Sequence, residues 1–270
     1  MAFWGRNFIF DDIPSEEYSM IISSDDGEEG SSPATSGVEI ITEEIFRRTR
    51  PYLYGVKQTP VLEIPVKIIT TEYELTQEDS SLVQQWLFGQ QNYKVLRIIQ
   101  EDMEDYYFKC FLTEPTIIRV GNIIRGFTAT IKCDSPFAWG NTETYNYVFD
   151  AFPQNYQITL LNNSQDRFYT FPTVIFTLDG AGDHPSDVVF SITNLDDNNR
   201  TMAFTNLSTD EVLTINCDLE IVTSSYGFKR ISSMVSPIRF FRLVNGVNRI
   251  LVSGRITALT FTTTPAKRIT

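Results

Sequence analysis

The sequence predicts a mainly β protein with a single clear helix. The 270-residue chain contains 20 Phe and 12 Tyr, and aromatic residues favour strands. In the second half, short apolar runs alternate with turn residues at intervals of roughly 8–12 residues, which is the spacing of a β-sandwich. Near the end, Arg239–Gly254 (RFFRLVNGVNRILVSG) places Asn245-Gly246 between two apolar runs. This dipeptide predicts the turn of a β-hairpin.

The first half is predicted to place strands around the helix. An aromatic run over Phe3–Phe10 and the segment Tyr18–Ser23 predict two strands. The helix is predicted over Gln77–Gln91, with Thr76 as N-cap and an apolar stripe facing the core. That stripe consists of Leu82, Val83, Trp86 and Leu87. Further strands are predicted at Val38–Ile41, Val61–Thr71, Tyr93–Ile99, Tyr106–Thr113, Thr116–Val120 and Ile123–Cys133.

The second half is predicted to contain ten short strands. The segment Tyr145–Phe152 is interpreted as a bridge, so the predicted domains are 1–145 and 146–270. The strands are Ile158–Leu161, Thr173–Leu178, Val188–Asn194, Arg200–Thr205, Val212–Asn216, Leu219–Thr223, Phe228–Ile231, Ile238–Val244, Val247–Val252 and Ile256–Phe261.

A two-residue loop at Asn245-Gly246 would place Arg242 opposite Arg249. Like charges at directly opposed positions are unfavourable. The sequence therefore predicts either a longer loop or an acidic neighbour that faces the two arginines.

Charge is distributed unevenly along this chain of formal net charge -12. Between Asn7 and Phe46 there are eleven acidic residues and no Lys or Arg, whereas residues 221–270 contain eight basic residues and no acidic one. The two ends either form solvated surfaces that keep the protein soluble or complement neighbouring copies and other partners. A nucleic-acid partner is not predicted, because the chain is acidic overall and carries no nucleic-acid-binding motif.

The sequence shows no recognisable catalytic or metal-binding cluster, so it predicts no enzyme, no cofactor and no metal site. Cys110, Cys133 and Cys217 are widely spaced, which fits buried free thiols better than a disulfide framework or a zinc site. His184, the one histidine, is predicted on a surface loop. No apolar run is long enough to span a bilayer, and the N-terminus lacks the pattern of a secretory signal.

Several short motifs follow one another in an order that resembles a known family. In the first half they are FIFDDI at Phe8–Ile13, EEYSMIIS at Glu16–Ser23, Trp86-Leu87 at the helix end, Tyr93-Lys94 and CDSPFA at Cys133–Ala138. In the second half they are Phe171-Pro172, Ile192–Asn194, Val212–Asp218 and Phe241–Asn248. Together they resemble the distal tail protein (Dit) family of long-tailed, non-contractile phages of Gram-positive hosts.

The resemblance implies a split β-barrel with one helix and an extended arm near residues 24–50, followed by a galectin-like β-sandwich. It implies a structural virion protein, assembled in the host cytoplasm into a homo-hexameric ring at the tail tip. One face of the ring would meet the tail tube protein, and the other would meet the tail-associated hub or lysin protein. Receptor-binding or fibre proteins would dock on the outer domains.

The arm offers a physical route to such a ring, because it carries an acidic limb and a basic end. The limb lies in residues 24–37 (SDDGEEGSSPATSG), which cannot bury apolar surface and are predicted to form a mobile loop or arm. A head-to-tail contact would pair unlike charges of adjacent copies, and heterologous contacts of this kind close into rings. The predicted interface comprises Asp25, Asp26, Glu28 and Glu29 with Arg47, Arg48 and Arg50.

Two other functions fit parts of the sequence. Galectin-like sandwiches can bind sugars through exposed aromatic residues, so a non-catalytic carbohydrate-binding module is the main alternative; fold analogy alone does not establish it. A hydrolase that uses paired acids is disfavoured, because adjacent acids in loops do not place two carboxyl groups across a substrate. The aromatic candidates for sugar binding are Trp139, Tyr169, Tyr226 and Phe228.

Overall fold

The structure, a computed structural model, describes residues 3–24, 38–58, 62–166, 168–180 and 188–268. It confirms a mainly β fold with one α-helix. The chain divides into two compact units, the first running to Gly140 and including the last residues from Lys267, the second comprising Asn141–Ala266. His184 and most of the predicted acidic loop lie outside the described residues. Within the described part of the chain, no helix is long and apolar enough to cross a membrane.

The first unit is built on a seven-stranded antiparallel sheet. Its elements are β1 (Phe8–Phe10), β2 (Ile13–Pro14), a 3-10 helix (Ser15–Tyr18), β3 (Met20–Ser24), β4 (Val38–Glu43), β5 (Tyr52–Gln58), β6 (Glu63–Thr70), α1 (Gln77–Phe88), β7 (Lys94–Ile98), β8 (Phe108–Val120), β9 (Ile123–Cys133) and β10 (Ala138–Trp139). The sheet order is β2-β1-β7-β8-β9-β6-β3. Arg6 and Ile22 exchange backbone hydrogen bonds of 3.0 and 2.9 Å, so β3 also meets the chain just before β1. These bonds close the curved sheet into a barrel.

The strand β8 replaces the two strands predicted at Tyr106–Thr113 and Thr116–Val120. A register shift between Thr113 and Thr116 lets one long strand continue past the residues that suggested a break. Such a bulge accommodates extra residues while the ladder continues.

Helix α1 packs onto the barrel through Trp86. The Trp86 ring stacks on Phe8 with centroids 5.6 Å apart, and its indole N–H donates to the Phe10 carbonyl at 3.0 Å. The predicted stripe is wrong at Leu82, which is 46% exposed. Leu82 lies roughly 100° around the helix from the centre of the buried side. That side consists of Ser80, Val83, Trp86 and Leu87.

Helix α1 begins at the predicted N-cap, and this cap gives a first test of the fold. The Thr76 hydroxyl oxygen accepts a hydrogen bond from the Asp79 amide at 3.1 Å. Replacing Thr76 with alanine is expected to lower the free energy of unfolding by about 1 kcal/mol, because one N-terminal amide loses its acceptor. Urea unfolding would measure the loss. Thr76→Ser keeps the hydroxyl and is the matched control; an equal loss in that variant would contradict the capping role.

The second unit is a sandwich of two antiparallel sheets. Its strands are β11 (Glu143–Val148), β12 (Tyr156–Asn162), β13 (Thr173–Leu178), β14 (Val188–Asn194), β15 (Arg200–Thr205), β16 (Val212–Asn216), β17 (Ile221–Ser224), β18 (Gly246–Gly254) and β19 (Ile256–Thr263); β20 (Ala266–Lys267) follows. The sheet orders are β11-β19-β13-β16-β17 and β12-β18-β14-β15. Phe176 of the first sheet stacks on Phe190 of the second at 3.9 Å, so the apolar core lies between the sheets.

Three predicted elements of this half are wrong. The first half of the bridge proposed at Tyr145–Phe152 belongs to β11, an edge strand paired with β19. The strand predicted at Phe228–Ile231 is absent, and a short 3-10 helix begins at Ile231. The strand predicted at Ile238–Val244 is also absent; Leu243 makes only an isolated bridge to Thr170.

The predicted β-hairpin at Asn245-Gly246 is also wrong, because the strand that would precede the turn is absent. Strand β18 pairs with β12 and β14, not with the preceding segment. The Asn248 side chain accepts from the Val244 amide at 2.9 Å and donates to the Val244 carbonyl at 2.9 Å. The Asn248 side chain thus satisfies both the N–H and the C=O group of Val244. At this residue no partner strand is required to satisfy the backbone hydrogen bonds.

Because β18 does not pair with the preceding segment, Arg242 and Arg249 do not oppose each other across a hairpin, and each has its own acidic partner. The Arg242 guanidinium donates to the Asp197 carboxylate at 2.7 and 3.0 Å. The Arg249 guanidinium donates to the Asp196 carboxylate at 2.6 Å. The two consecutive acids that follow β14 thus neutralise one arginine each.

Candidate assembly surface

The predicted arm contains a two-stranded hairpin formed by β4 and β5. Ile40 lies opposite Val56, and Ile41 lies opposite Gly55. Among the strands of the described chain, these two pair only with each other. Strand β5 is absent from the sequence-based prediction because Gly55 interrupts its apolar run. The hairpin therefore stands as a small separate sheet.

A register shift after Ile41 gives the hairpin a bulge. Beyond it, Thr42 lies opposite Leu53, so Tyr54 has no partner on β4. The Tyr54 hydroxyl donates instead to the Glu43 carboxylate. This hydrogen bond raises the pKa of Tyr54 above its ordinary value. The side-chain contact joins the two strands where the ladder is interrupted.

The hairpin exposes a high concentration of large apolar side chains. Eight of them are each at least 44% exposed, and Phe46 is 87% exposed. An isolated two-stranded hairpin is at best marginally stable in water, whereas burying one such side chain contributes about 1.5–3 kcal/mol. The hairpin therefore has the character of a surface that a partner covers. The eight residues are Ile40, Ile41, Ile45, Phe46, Tyr52, Leu53, Tyr54 and Val56.

The three arginines predicted at the interface lie together at the tip of this hairpin. The Arg48 guanidinium lies 3.5 Å from the centroid of the Tyr52 ring, and that of Arg47 lies 5.2 Å from the centroid of Phe46. Arg50 is exposed in the same turn region. The tip thus presents cations beside exposed aromatic rings. The predicted acidic partners lie outside the described residues: Asp25, Asp26, Glu28 and Glu29.

Half of the basic residues in the C-terminal segment 221–270 are paired with acids of the second unit. In Asn141–Ala266, twelve acidic residues outnumber eight basic ones. Four basic residues of the segment form ion pairs of 2.6–2.8 Å with acids of the same unit. The pairs are Arg230–Glu211, Arg242–Asp197, Arg249–Asp196 and Arg255–Asp179. These pairs weaken the hypothesis that this end, as a whole, complements the acidic start of the chain.

Glu211 is the most deeply buried of these acids. Its side chain is fully buried and accepts from the Arg230 guanidinium at 2.7 and 2.8 Å, the Ser224 hydroxyl at 2.5 Å and the Ser208 amide at 2.8 Å. Burial alone would raise the pKa of Glu211, but these hydrogen bonds outweigh it and hold the pKa below its ordinary value. Both carboxylate oxygens of Glu211 thus accept hydrogen bonds from within the second unit, and the role of this residue is structural.

The four aromatic candidates for sugar binding are divided between the units. Trp139 belongs to the first unit, and the others belong to the second. Arg242 lies 3.4 Å from the centroid of Tyr169, and Arg230 lies 5.0 Å from that of Phe228, so each cation occupies one face of a ring. Tyr226 and Phe228 pack edge to face, with centroids 6.5 Å apart.

The described residues include no group of His, Cys, Asp and Glu side chains suited to hold a metal ion. The hairpin β4–β5 and its connecting turn, by contrast, bring eight exposed large apolar side chains together.

Family models match both halves of the chain. Residues 3–135 match a model described as a phage tail protein N-terminal domain. Residues 137–263 match a model described as a phage tail C-terminal domain. No curated protein sequence matches the chain.

Solved structures show the same fold across nearly the whole chain. One is the Dit protein (gp 19.1) of phage SPP1, described as a paradigm of the hub adsorption apparatus in phages that infect Gram-positive hosts. Its TM-score is 0.70 at 11% identity, with 96% of this chain and 98% of that chain covered. A chain of the phage P2 baseplate in its activated conformation with Ca gives a TM-score of 0.55 at 10% identity, covering 97% and 98%. The corresponding structure with Sr gives 0.54 at 11% identity, covering 96% and 97%.

Proposed function

The chain belongs to a family of phage tail proteins, and we propose on that premise that it forms a homo-hexameric ring at the tail tip. As a tail protein, it is a component of the virion. The ring joins the tail tube protein on one face to the tail-associated hub or lysin protein on the other. Receptor-binding or fibre proteins dock on the outer domains. Its role is structural and non-catalytic, and assembly takes place in the host cytoplasm before the particle is released.

The exposed hairpin β4–β5 is the observation that carries this proposal. A protein that remained alone in solution would gain nothing from eight exposed apolar side chains on a marginal two-stranded sheet. A hairpin that packs against the adjacent copy makes a heterologous contact, in which two different surfaces meet. Such contacts generate closed rings when the rotation between copies closes.

The charges at the hairpin tip set the direction of this contact in the proposal. Arg47, Arg48 and Arg50 on one copy face the acidic segment around Asp25 on its neighbour. Complementary charges speed association and fix register, while the apolar side chains supply most of the affinity.

Imaging tests the proposal directly. Negative-stain microscopy and solution mass of the purified protein, alone and with its tube protein, are expected to show a ring of six copies in at least the second sample. A well-folded protein that remained a monomer in both samples would contradict the ring. A monomer that bound glycans would instead support the carbohydrate-binding module.

Charge reversal at the hairpin tip tests the electrostatic part. Changing Arg47, Arg48 and Arg50 to Glu is expected to weaken ring formation most at low ionic strength, because salt screens exposed charges. Solution mass measured across a salt series would detect the change.

The control variant changes two exposed bases of the second unit, Lys229 and Arg239, to Glu. It is expected to leave ring formation near that of the wild type. A triple variant that assembled normally at both low and moderate salt would show that the tip charges do not form the contact.

A further inference from the structure

Two cysteines of the first unit lie side by side on neighbouring strands. Cys110 of β8 is directly opposite Cys133 of β9. The Asp134 amide donates to the Lys109 carbonyl at 2.8 Å, while the Cys133 amide points to the other neighbour and donates to Leu62 at 3.0 Å. The cysteines therefore occupy a non-hydrogen-bonded pair of the ladder. At such pairs, Cα atoms are about 4.5 Å apart and the side chains approach most closely.

This position matches the geometry that a disulfide requires. A disulfide needs Cα atoms about 4.4–6.8 Å apart and side chains that point toward each other. Directly opposed residues of an antiparallel ladder project from the same face of the sheet. Both thiols are free here and both face the core, with exposures of 0% and 1%. The backbone thus already holds the two thiols where a bond can form with little rearrangement.

We propose that Cys110 and Cys133 form a cross-strand disulfide when the protein leaves a reducing compartment and meets a small-molecule disulfide oxidant. The thiolate of one cysteine attacks a sulfur of the oxidant, which gives a mixed disulfide and releases one reduced small thiol. The thiolate of the other cysteine then attacks the protein sulfur of that mixed disulfide and releases the second small thiol. Two protein thiols are oxidised to one disulfide, and one oxidant disulfide is reduced to two thiols.

The fold makes this reaction slow. Burial raises the pKa of Cys133 to about 12 and that of Cys110 well above its ordinary value, where the neighbouring Cys133 adds to the effect. Because the thiolate is the attacking species, reaction requires local opening where β9 ends.

The change of compartment supplies the oxidant. Thiols stay reduced in the cytoplasm, whereas disulfides persist on virions outside the cell. The chemistry depends only on this pair of residues, so it can be tested apart from the ring. Only its biological setting rests on the role in the virion.

Thiol mapping tests the proposal. The native full-length protein is incubated with oxidised glutathione, unfolded, treated with N-ethylmaleimide, digested and analysed by mass spectrometry. We expect a linked peptide that joins Cys110 to Cys133 and lacks two hydrogens, while Cys217 is alkylated. The thermal midpoint of the oxidised protein is expected to rise by about 5–10 °C and to fall back with dithiothreitol.

Two variants make the result decisive. Cys217→Ala removes the thiol of the second unit and is expected to give the same linked peptide and the same rise. Cys133→Ala is expected to give neither. The proposal is overturned if the native protein yields only glutathione adducts or unmodified thiols at Cys110 and Cys133, or if Cys133→Ala shows the same thermal rise.

Discussion

Replacing Arg230 with alanine is expected to lower the free energy of unfolding of the second unit by about 3 kcal/mol or more. The change removes the guanidinium that donates to both oxygens of Glu211. It leaves a carboxylate whose side chain has no solvent exposure. An uncompensated buried charge is costly, because neither water nor a counter-charge replaces the lost interaction. Urea unfolding of the two proteins at neutral pH would measure the difference.

The same substitution is expected to change the sign of the pH dependence contributed by Glu211. In the wild type, the pKa of Glu211 is lowered, so its contribution to stability is present above the ordinary glutamate pKa of about 4.3. That contribution is lost as the pH falls through the lowered folded pKa. Without Arg230, burial is expected to raise the pKa of Glu211 above its unfolded value. The deficit of the variant should therefore shrink as the pH is lowered from 7 to 5.

Two controls separate burial from charge in this test. Arg249 pairs with Asp196 but is 55% exposed, and exposed pairs contribute little. Arg249→Ala is therefore expected to leave stability nearly unchanged. The double variant Glu211→Leu with Arg230→Met removes both charges and should be more stable than Arg230→Ala. A single variant as stable as the wild type would show that Glu211 gains water or another partner.

Sequence reasoning recovered the elements whose signals are local. Thr76 marks the helix start because its hydroxyl caps the first turn, and this requires only neighbouring residues. The strand over Ile123–Cys133 is equally clear, because its apolar and polar residues alternate along one ladder. Both patterns are set within about ten residues, so no knowledge of distant contacts is needed.

The errors arise where a distant or side-chain contact decides the outcome. Asn245-Gly246 has the composition of a hairpin turn, yet the Asn248 side chain occupies the backbone groups of Val244, and β18 pairs instead with β12. Nothing in the local sequence indicates that the Asn248 side chain would hydrogen-bond the backbone of Val244, four residues earlier in the chain. Leu82 likewise fits the apolar stripe in the sequence, and only the side of the helix that packs on the core shows that Leu82 lies outside the buried side.

The candidate interface was predictable only in part. The charges of Arg47, Arg48 and Arg50 can be read directly from the sequence, and they lie together at the hairpin tip. The apolar surface was missed because runs such as Ile40-Ile41 look like core strands in a sequence. Only the solvent exposure of its side chains in the folded structure distinguishes an apolar strand of the core from an apolar strand that binds a partner.

Replacing Phe46 and Leu53 with serine is expected to abolish ring formation while each unit stays folded. The two side chains are 87% and 66% exposed, so their loss removes little from the isolated protein. Burial of each in a subunit contact would contribute about 1.5–3 kcal/mol. Losing both would weaken each contact by a factor of about 100 or more, since 1.4 kcal/mol corresponds to tenfold in an equilibrium constant. Solution mass and negative-stain imaging would detect the loss, and circular dichroism would verify the fold.

The matched control replaces two similarly exposed residues that do not belong to the hairpin, Tyr73 and Val148, which are 74% and 80% exposed. It lowers the exposed apolar area by a similar amount, so a general effect of surface polarity would appear in both variants. Ring loss confined to the hairpin variant would locate the contact on β4–β5. Rings that persisted in the hairpin variant would mean that the exposed apolar side chains do not join one copy to the next. The subunit contact would then have to lie on another surface of the protein.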